Sequence, residues 1–280
     1  MTFWRKFLNM DRRIMWGAMF LIVAAVLLRP IGLPMQIGST TEKFYDFVED
    51  IPRGSIVWVE AGFGAGNLPE VGPQIRTFLI QAYRRDLRLI MSSTGVEGSQ
   101  LGQEMFEDIK SQFFPDLEYG VDFLNVGYRP GTMIYARALA DDVMSATGGV
   151  DIFGRSLADF PLASEVPRLH GDYVAVLAHF VGHDPPPDEW FAAVGQPGNI
   201  PIISGTPQMA VPQFIPFLEA GIIKANIPGM RGAAEYESLV GVLGSATAGQ
   251  DVTSSMVLFI TILVIMANVG YILTRKDTSS

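Results

Sequence analysis

No cysteine occurs anywhere in the 280 residues. That absence excludes disulfides, thiolate nucleophiles and Cys-ligated zinc or iron–sulfur sites, and it leaves the compartment open. Histidine is nearly as scarce, with only His170, His179 and His183. The chain also lacks a glycine-lysine phosphate loop, a G-x-S-x-G elbow, an H-E-x-x-H helix, an EF-hand loop and an N-glycosylation sequon. No motif names a catalytic residue, a metal or a cofactor.

Long hydrophobic runs are confined to two places. The first is Ile14 to Leu28, uncharged throughout; it is extended past Arg29 through Ile31, Gly32 and Leu33 if the guanidinium reaches back to the headgroups. The second, Met256 to Leu273, is interrupted only by Thr261 and Asn268. Trp16 and Tyr271 stand where interfacial aromatics belong. A cleaved signal peptide is the alternative for the first run, but no small-x-small site precedes Gly38. The expected layout is a cytoplasmic segment 1–13, a span 14–33, a domain 38–250, a span 255–274 and a cytoplasmic tail 275–280.

Orientation follows from the flanks. Arg5, Lys6, Arg12 and Arg13 precede the first span, and Arg275 and Lys276 follow the second. The positive-inside rule therefore places both termini in the cytoplasm and the domain outside it, with Arg29 a lone counter-signal. Setting aside those seven bases and the acids Asp11 and Asp277 leaves 13 bases against 27 acids, a net charge near −14. Such a surface repels nucleic acid and anionic lipid alike.

Between the runs, short apolar stretches alternate with helical patterns. The strand candidates are 55–59, 87–91, 122–126, 173–180, 200–203 and 222–226; most are continuously apolar, as strands buried on both faces are. Helical patterns cover 71–85, 101–113, 133–147, 188–194, 211–219 and 233–243. Ser39 and Glu42 suggest a capping box for a helix before Pro52. The segment 148–169 reads as a surface excursion with a short helix near Ala163, and 244–253 as a polar tether. This succession predicts one α/β domain, a mostly parallel three-layer Rossmann-like sheet, with a transmembrane helix at each end.

In such a sheet ligands sit at the carboxyl ends of the strands. The loops expected there are small and polar, and they supply Gly64, Asn67, Ser93, Thr94, Arg129, Ser204, Thr206 and Arg231 as candidate ligand contacts. A convergence of Arg129 and Arg231 on one edge suits an anionic or polar small ligand. The competing explanation is that any βα turn favours Gly, Ser and Thr for its bend and helix cap. Glycines 62, 64 and 66 approach a dinucleotide fingerprint but depart from it twice. The third falls one place early, and Ser92-Ser93-Thr94 supplies no acid for a ribose hydroxyl. His179 and His183 lie about 13 Å apart if both sit in one strand, too far for one metal ion. His179, inside an apolar run, reads as a hydrogen-bonded core histidine.

Several blocks carry a resemblance: Phe217 to Gly221, Gly229-Met230-Arg231-Gly232-Ala233-Ala234-Glu235-Tyr236-Glu237, Gly32-Leu33-Pro34, Pro52 to Ser55, Gly127 to Gly131, and Asn268-Val269-Gly270-Tyr271. Together they resemble an uncharacterised family of prokaryotic two-span membrane proteins with a Rossmann-like α/β domain between the spans. The resemblance implies the layout above and carries over no catalytic residue.

The leading expectation is a structural or assembly subunit of a membrane complex, working as a homo-oligomer or with other membrane subunits. Asn268, costly facing lipid, is expected to bond to a neighbouring helix, either a partner's or the first span of the same chain. The alternative is an extracytoplasmic small-ligand-binding or sensing domain. A third is an enzyme of unknown reaction.

Overall fold

A computed structural model describes residues 2–29, 31–182 and 187–275. The chain divides into two compact units, Met35–Ala246 and the combination of Met1–Pro34 with Thr247–Ser280.

The larger unit is built on six strands: β1 (Ile56–Gly62), β2 (Arg88–Ser93), β3 (Phe123–Tyr128), β4 (Val176–Val181), β5 (Ile202–Thr206) and β6 (Ile223–Pro228). All pairings are parallel and the order is β3-β2-β1-β4-β5-β6, the doubly wound Rossmann arrangement. The four inner strands are buried almost throughout, which explains why they read as continuous apolar runs. The edge strand β6 instead exposes Lys224, a charge that discourages pairing with another sheet.

Helices cover both faces. One face carries α3 (Ser39–Glu49), α4 (Leu68–Arg84), α5 (Gly98–Phe113) and α11 (Gly229–Val240), around a core that includes Phe44, Phe78, Phe106 and Phe180. The other carries α6 (Thr132–Asp141), α7 (Val143–Ala146), α8 (Pro161–Ser164) and α9 (Pro187–Trp190), which runs into a π-helical turn over Phe191–Gly195; α10 (Val211–Glu219) follows β5. The helix near Ala163 is α8, as expected. The segment around it is no mere surface excursion, because Leu157, Leu162, Val166 and Leu169 are buried against the sheet. Gly98 opens α5 so close to β1 that an added Cβ would overlap the Ala61 carbonyl oxygen at 1.8 Å.

Three carboxylates set the chain's entry and exit, and each corrects a local expectation. Ser39 and Glu42 form no capping box. Gly38 is the N-cap of α3, and the Glu235 carboxylate on α11 accepts its N–H at 3.0 Å and the buried Thr41 hydroxyl at 2.9 Å. The supposed tether is helical, since α12 runs unbroken from Ser245 to Arg275. Glu237, also on α11, accepts the N–H groups of Gly244 and Ala246 at 3.1 and 3.2 Å and so fixes where that helix starts.

In the smaller unit, α1 (Thr2–Leu8) and α2 (Arg12–Leu28) accompany the long part of α12. The expected helical continuation from Leu28 to Leu33 is not formed. The backbone N–H groups of Ile31, Gly32 and Leu33 instead donate to the Asp251 carboxylate at 2.7, 2.8 and 2.9 Å, with Gly32 at φ 66°. With 17 residues, α2 spans about 26 Å, short of the roughly 30 Å hydrocarbon core. Among the described residues one helix, Ser245–Thr274, is long and apolar enough to cross a membrane, and few of its residues are buried. Met15 faces Leu263, Trp16 and Met19 face Phe259 and Ile260, and Asp251 meets residues 31–33, so α2 and α12 run antiparallel across apolar grooves.

Candidate functional site

The strand order changes direction between β1 and β4, where doubly wound sheets bind ligands. A cleft of about 320 Å³ opens there, and Gly64 and Asn67 line it beside Gly62, Phe63, Gly95 and Glu97. Its chemistry opposes anions. Glu97 accepts the N–H of Ala65 in the glycine turn, where a pyrophosphate would have to rest. In the first turn of α4, Pro69 supplies no N–H and the Glu70 carboxylate accepts the Gln208 N–H at 2.7 Å.

Beneath the cleft, a row of buried polar side chains crosses five strands on one face of the sheet. Register pairs Ser92 with Glu60, Glu60 with His179, His179 with Ser204, and Ser204 with Asn226, all essentially without solvent contact. Glu60 accepts the Ser92 hydroxyl at 2.6 Å, the Thr94 N–H at 2.6 Å and the Thr94 hydroxyl at 2.7 Å. Burial pushes its carboxyl above the ordinary value of 4.5, against the pull of those three donors. Ser204 donates to the Asn226 amide oxygen at 2.9 Å, and Thr206 lies 3.3 Å from the same side chain. Ser93 Oγ is 2.7 Å from the Ala61 carbonyl and accepts the Gly95 N–H at 3.1 Å. Ser93, Thr94, Ser204 and Thr206 therefore bond inward to the protein.

The two arginines do not converge. Arg129 follows β3 and Arg231 follows β6, at opposite edges of the sheet, five strand spacings or roughly 24 Å apart. Arg129 donates to the carbonyls of Thr147, Tyr128 and Val150 at 2.9, 2.8 and 3.0 Å. It borders a second cleft, of about 600 Å³, whose rim includes Val96, Tyr128, Phe153 and Glu104. Arg231 pairs with Glu235 at 3.0 Å, the structural role that its four-residue spacing also permits.

His179 is a core residue, as expected, but among the described residues neither ring nitrogen is hydrogen-bonded. Burial holds it down to about 3, so it is neutral. Its ring lies 6.1 Å from that of Trp190, which in turn lies 6.3 Å from Tyr135. His170 Nδ1 lies 3.1 Å from the Asp172 carboxylate, and His183 lies outside the described residues. Among the described residues no group of three His, Asp or Glu is placed to hold a metal ion.

The buried row was not read from the sequence. Its members are single polar letters inside apolar strands, and only the register aligns them. The exposed apolar residues were equally silent. Among the described residues of the domain five large apolar side chains are more than half exposed: Val96, Ile134, Phe153, Met209 and Leu243. Four of the five, all but Leu243, lie in segments that follow β2, β3 and β5, so the carboxyl edge carries apolar side chains at its rim.

Fold and site together define a parallel, doubly wound α/β domain whose chain continues into a long apolar helix. No family model and no curated protein matches the chain. Among solved structures, a mycobacterial quinone oxidoreductase is similar at 18% identity with a TM-score of 0.30, over 81% of this chain and 63% of that one. A likeness of that size carries no argument about activity.

Proposed function

We propose that the protein is a structural or assembly subunit of a membrane complex, held in the bilayer by α2 and α12 and docking a second copy or a partner subunit through the carboxyl edge of its sheet. The observation that carries this reading is the exposure, at 58–80%, of Val96, Ile134, Phe153 and Met209 along that edge, with Val96 and Phe153 bordering one cleft. Apolar side chains exposed in this way mark protein contacts. A small-ligand site is less well supported, because Glu97 lines the switch-point cleft, and the candidate hydroxyls and the two arginines elsewhere along the edge are engaged by the protein itself.

The two-span layout is supported by the antiparallel course of α2 and α12 and by the apolar side chains both helices expose, among them Phe20, Leu21, Leu258 and Ile262. The bases at 5, 6, 12, 13, 275 and 276 then place both termini in the cytoplasm and the domain outside. Asn268 adds a second contact. It does not bond to α2; its amide donates to Val264 of its own helix at 2.8 Å, and the side chain faces outward among apolar neighbours. There it suits a helix of another chain.

The test is mass photometry of the full chain extracted in mild detergent. The wild type should run well above its 30.6 kDa, and the double variant Val96→Asp/Phe153→Asp should shift toward one chain while its circular dichroism is unchanged. A monomeric wild type in several mild detergents and in nanodiscs overturns the reading.

A further inference from the structure

The first thirteen residues have a composition unlike the rest of the chain. They hold four cations, Arg5, Lys6, Arg12 and Arg13, against one acid, Asp11, while the domain is near −14. All four cations are exposed. Among the described residues none of the four is in an ion pair, whereas Arg53, Arg76, Arg85, Arg88, Arg155 and Arg231 of the domain each meet a carboxylate. Asp11 is already committed, because its side chain accepts the Arg13 backbone N–H at 2.9 Å and caps α2.

These cations stand beside aromatic rings on an element fixed in place. Phe3, Trp4 and Phe7 cluster with ring centroids 5.3, 6.3 and 6.5 Å apart. Their helix docks on the far end of α12. A Cβ at Gly270 would stand 3.1 Å from the Trp4 ring and 3.5 Å from Leu8, so the small residue is what admits α1. Arg12 and Arg13 follow at once, at the first residues of the apolar helix α2.

We propose that α1 and the first turn of α2 form a binding collar for anionic phospholipid headgroups in the leaflet beside them. The inference rests on the membrane placement given above and adds a ligand to it. Orientation by positive charge needs only the charges. It does not need a packed aromatic helix that holds two of the unpaired cations, with the other two in the first turn of the next helix, at the level where a bilayer changes from hydrocarbon to headgroup. Tryptophan favours that level, and clustered cations next to a span attract anionic lipid. An acidic protein segment would satisfy the charges but leave the outer surface of Phe3, which is 60% exposed, in water.

The test is native mass spectrometry of the full chain in mild detergent, with phosphatidylglycerol or phosphatidylcholine of identical acyl chains added. Wild type should retain phosphatidylglycerol preferentially. Arg5→Gln/Lys6→Gln, which leaves Arg12 and Arg13 to fix orientation, should lower that preference roughly tenfold or more. The charge-conserving Arg5→Lys/Lys6→Arg should keep it, which separates lost charge from lost folding. Equal retention of the two lipids by wild type, or a preference unaltered in the Gln variant, overturns the proposal. So does a polyglutamate peptide that binds where phosphatidylglycerol does not. Alkaline carbonate washing of membranes separates the two levels: release of the protein defeats the membrane placement itself, while retention without lipid preference defeats only the collar.

Discussion

Replacing Glu235 with alanine should destabilise the domain far more than replacing Arg231, the residue to which Glu235 is paired. Glu235 is almost wholly buried and accepts two hydrogen bonds from α3, the Gly38 N–H and the Thr41 hydroxyl, besides the one from Arg231. Thr41 has no solvent contact, so its hydroxyl is left unpaired when the carboxylate goes. Hydrogen bonds to a charged group contribute about 1.5–3 kcal/mol each, which for the two from Gly38 and Thr41 sets the loss at about 3–6 kcal/mol. The Arg231 side chain is 63% exposed, and an ion pair with one exposed member contributes about 0.5 kcal/mol. For a domain of this size the melting temperature should then fall by roughly 10 °C in Glu235→Ala and by about 1–2 °C in Arg231→Gln. Intrinsic tryptophan fluorescence during heating reports this directly, because Trp58 and Trp190 are fully buried. Equal losses in the two variants, or a Glu235→Ala protein within about 1 kcal/mol of wild type, would refute the view that the carboxylate works as a helix cap.

Other expectations follow from the buried row and the membrane segments. Glu60, pushed above 4.5 by burial, keeps a proton in the folded chain that the unfolded chain releases. Its share of stability is therefore full below 4.5 and is lost as pH rises through the folded value; Glu60→Gln should flatten that limb in melting curves taken against pH. His179, held down to about 3, has the opposite sign: stability is lost as pH falls from about 6.5 toward 3, because only the unfolded chain takes the proton. His179→Phe should remove the acid limb and leave the melting temperature at neutral pH unchanged or higher, since no hydrogen bond is lost. A cysteine at the exposed position Gln112 should react with an impermeant maleimide in intact cells; labelling only after lysis, with the variant folded, would reverse the topology. Asn268→Leu should lower the oligomer's mass in mild detergent, and an unaltered mass distribution would remove that side chain from the contact.

What was legible in the sequence is what local periodicity encodes. Most of the six strands stand out because burial on both faces makes them nearly continuous apolar runs, and the small helix at Pro161–Ser164 was placed correctly by its pattern. What was not legible depends on contacts distant in sequence. Ser39 and Glu42 have the right spacing for a cap, yet Glu235, nearly 200 positions later, occupies the role. The end of α2 and the start of α12 are likewise set by Asp251 and Glu237 rather than by residues beside them. The expected meeting of Arg129 and Arg231 failed because strand order is not written in chain order: β3 and β6 are the two outer strands. The candidate residues lie in and beside the carboxyl ends of the strands, but that the hydroxyls bond inward and that Glu97 occupies the glycine turn are properties of packing.

Glu235 and Glu237 are two residues apart on α11, and a two-residue step turns about 200° around a helix. One carboxylate therefore holds the start of the domain's first helix and the other, on nearly the opposite flank, holds the start of its last. Tension arriving along the chain from either end loads α11 through hydrogen bonds at two helix starts, and from the amino-terminal side it also loads β6, on which α3 packs. The domain is mounted by one helix. A pull strong enough to extend it should strip α3 and the start of α12 from α11 first and leave the six parallel strands in register.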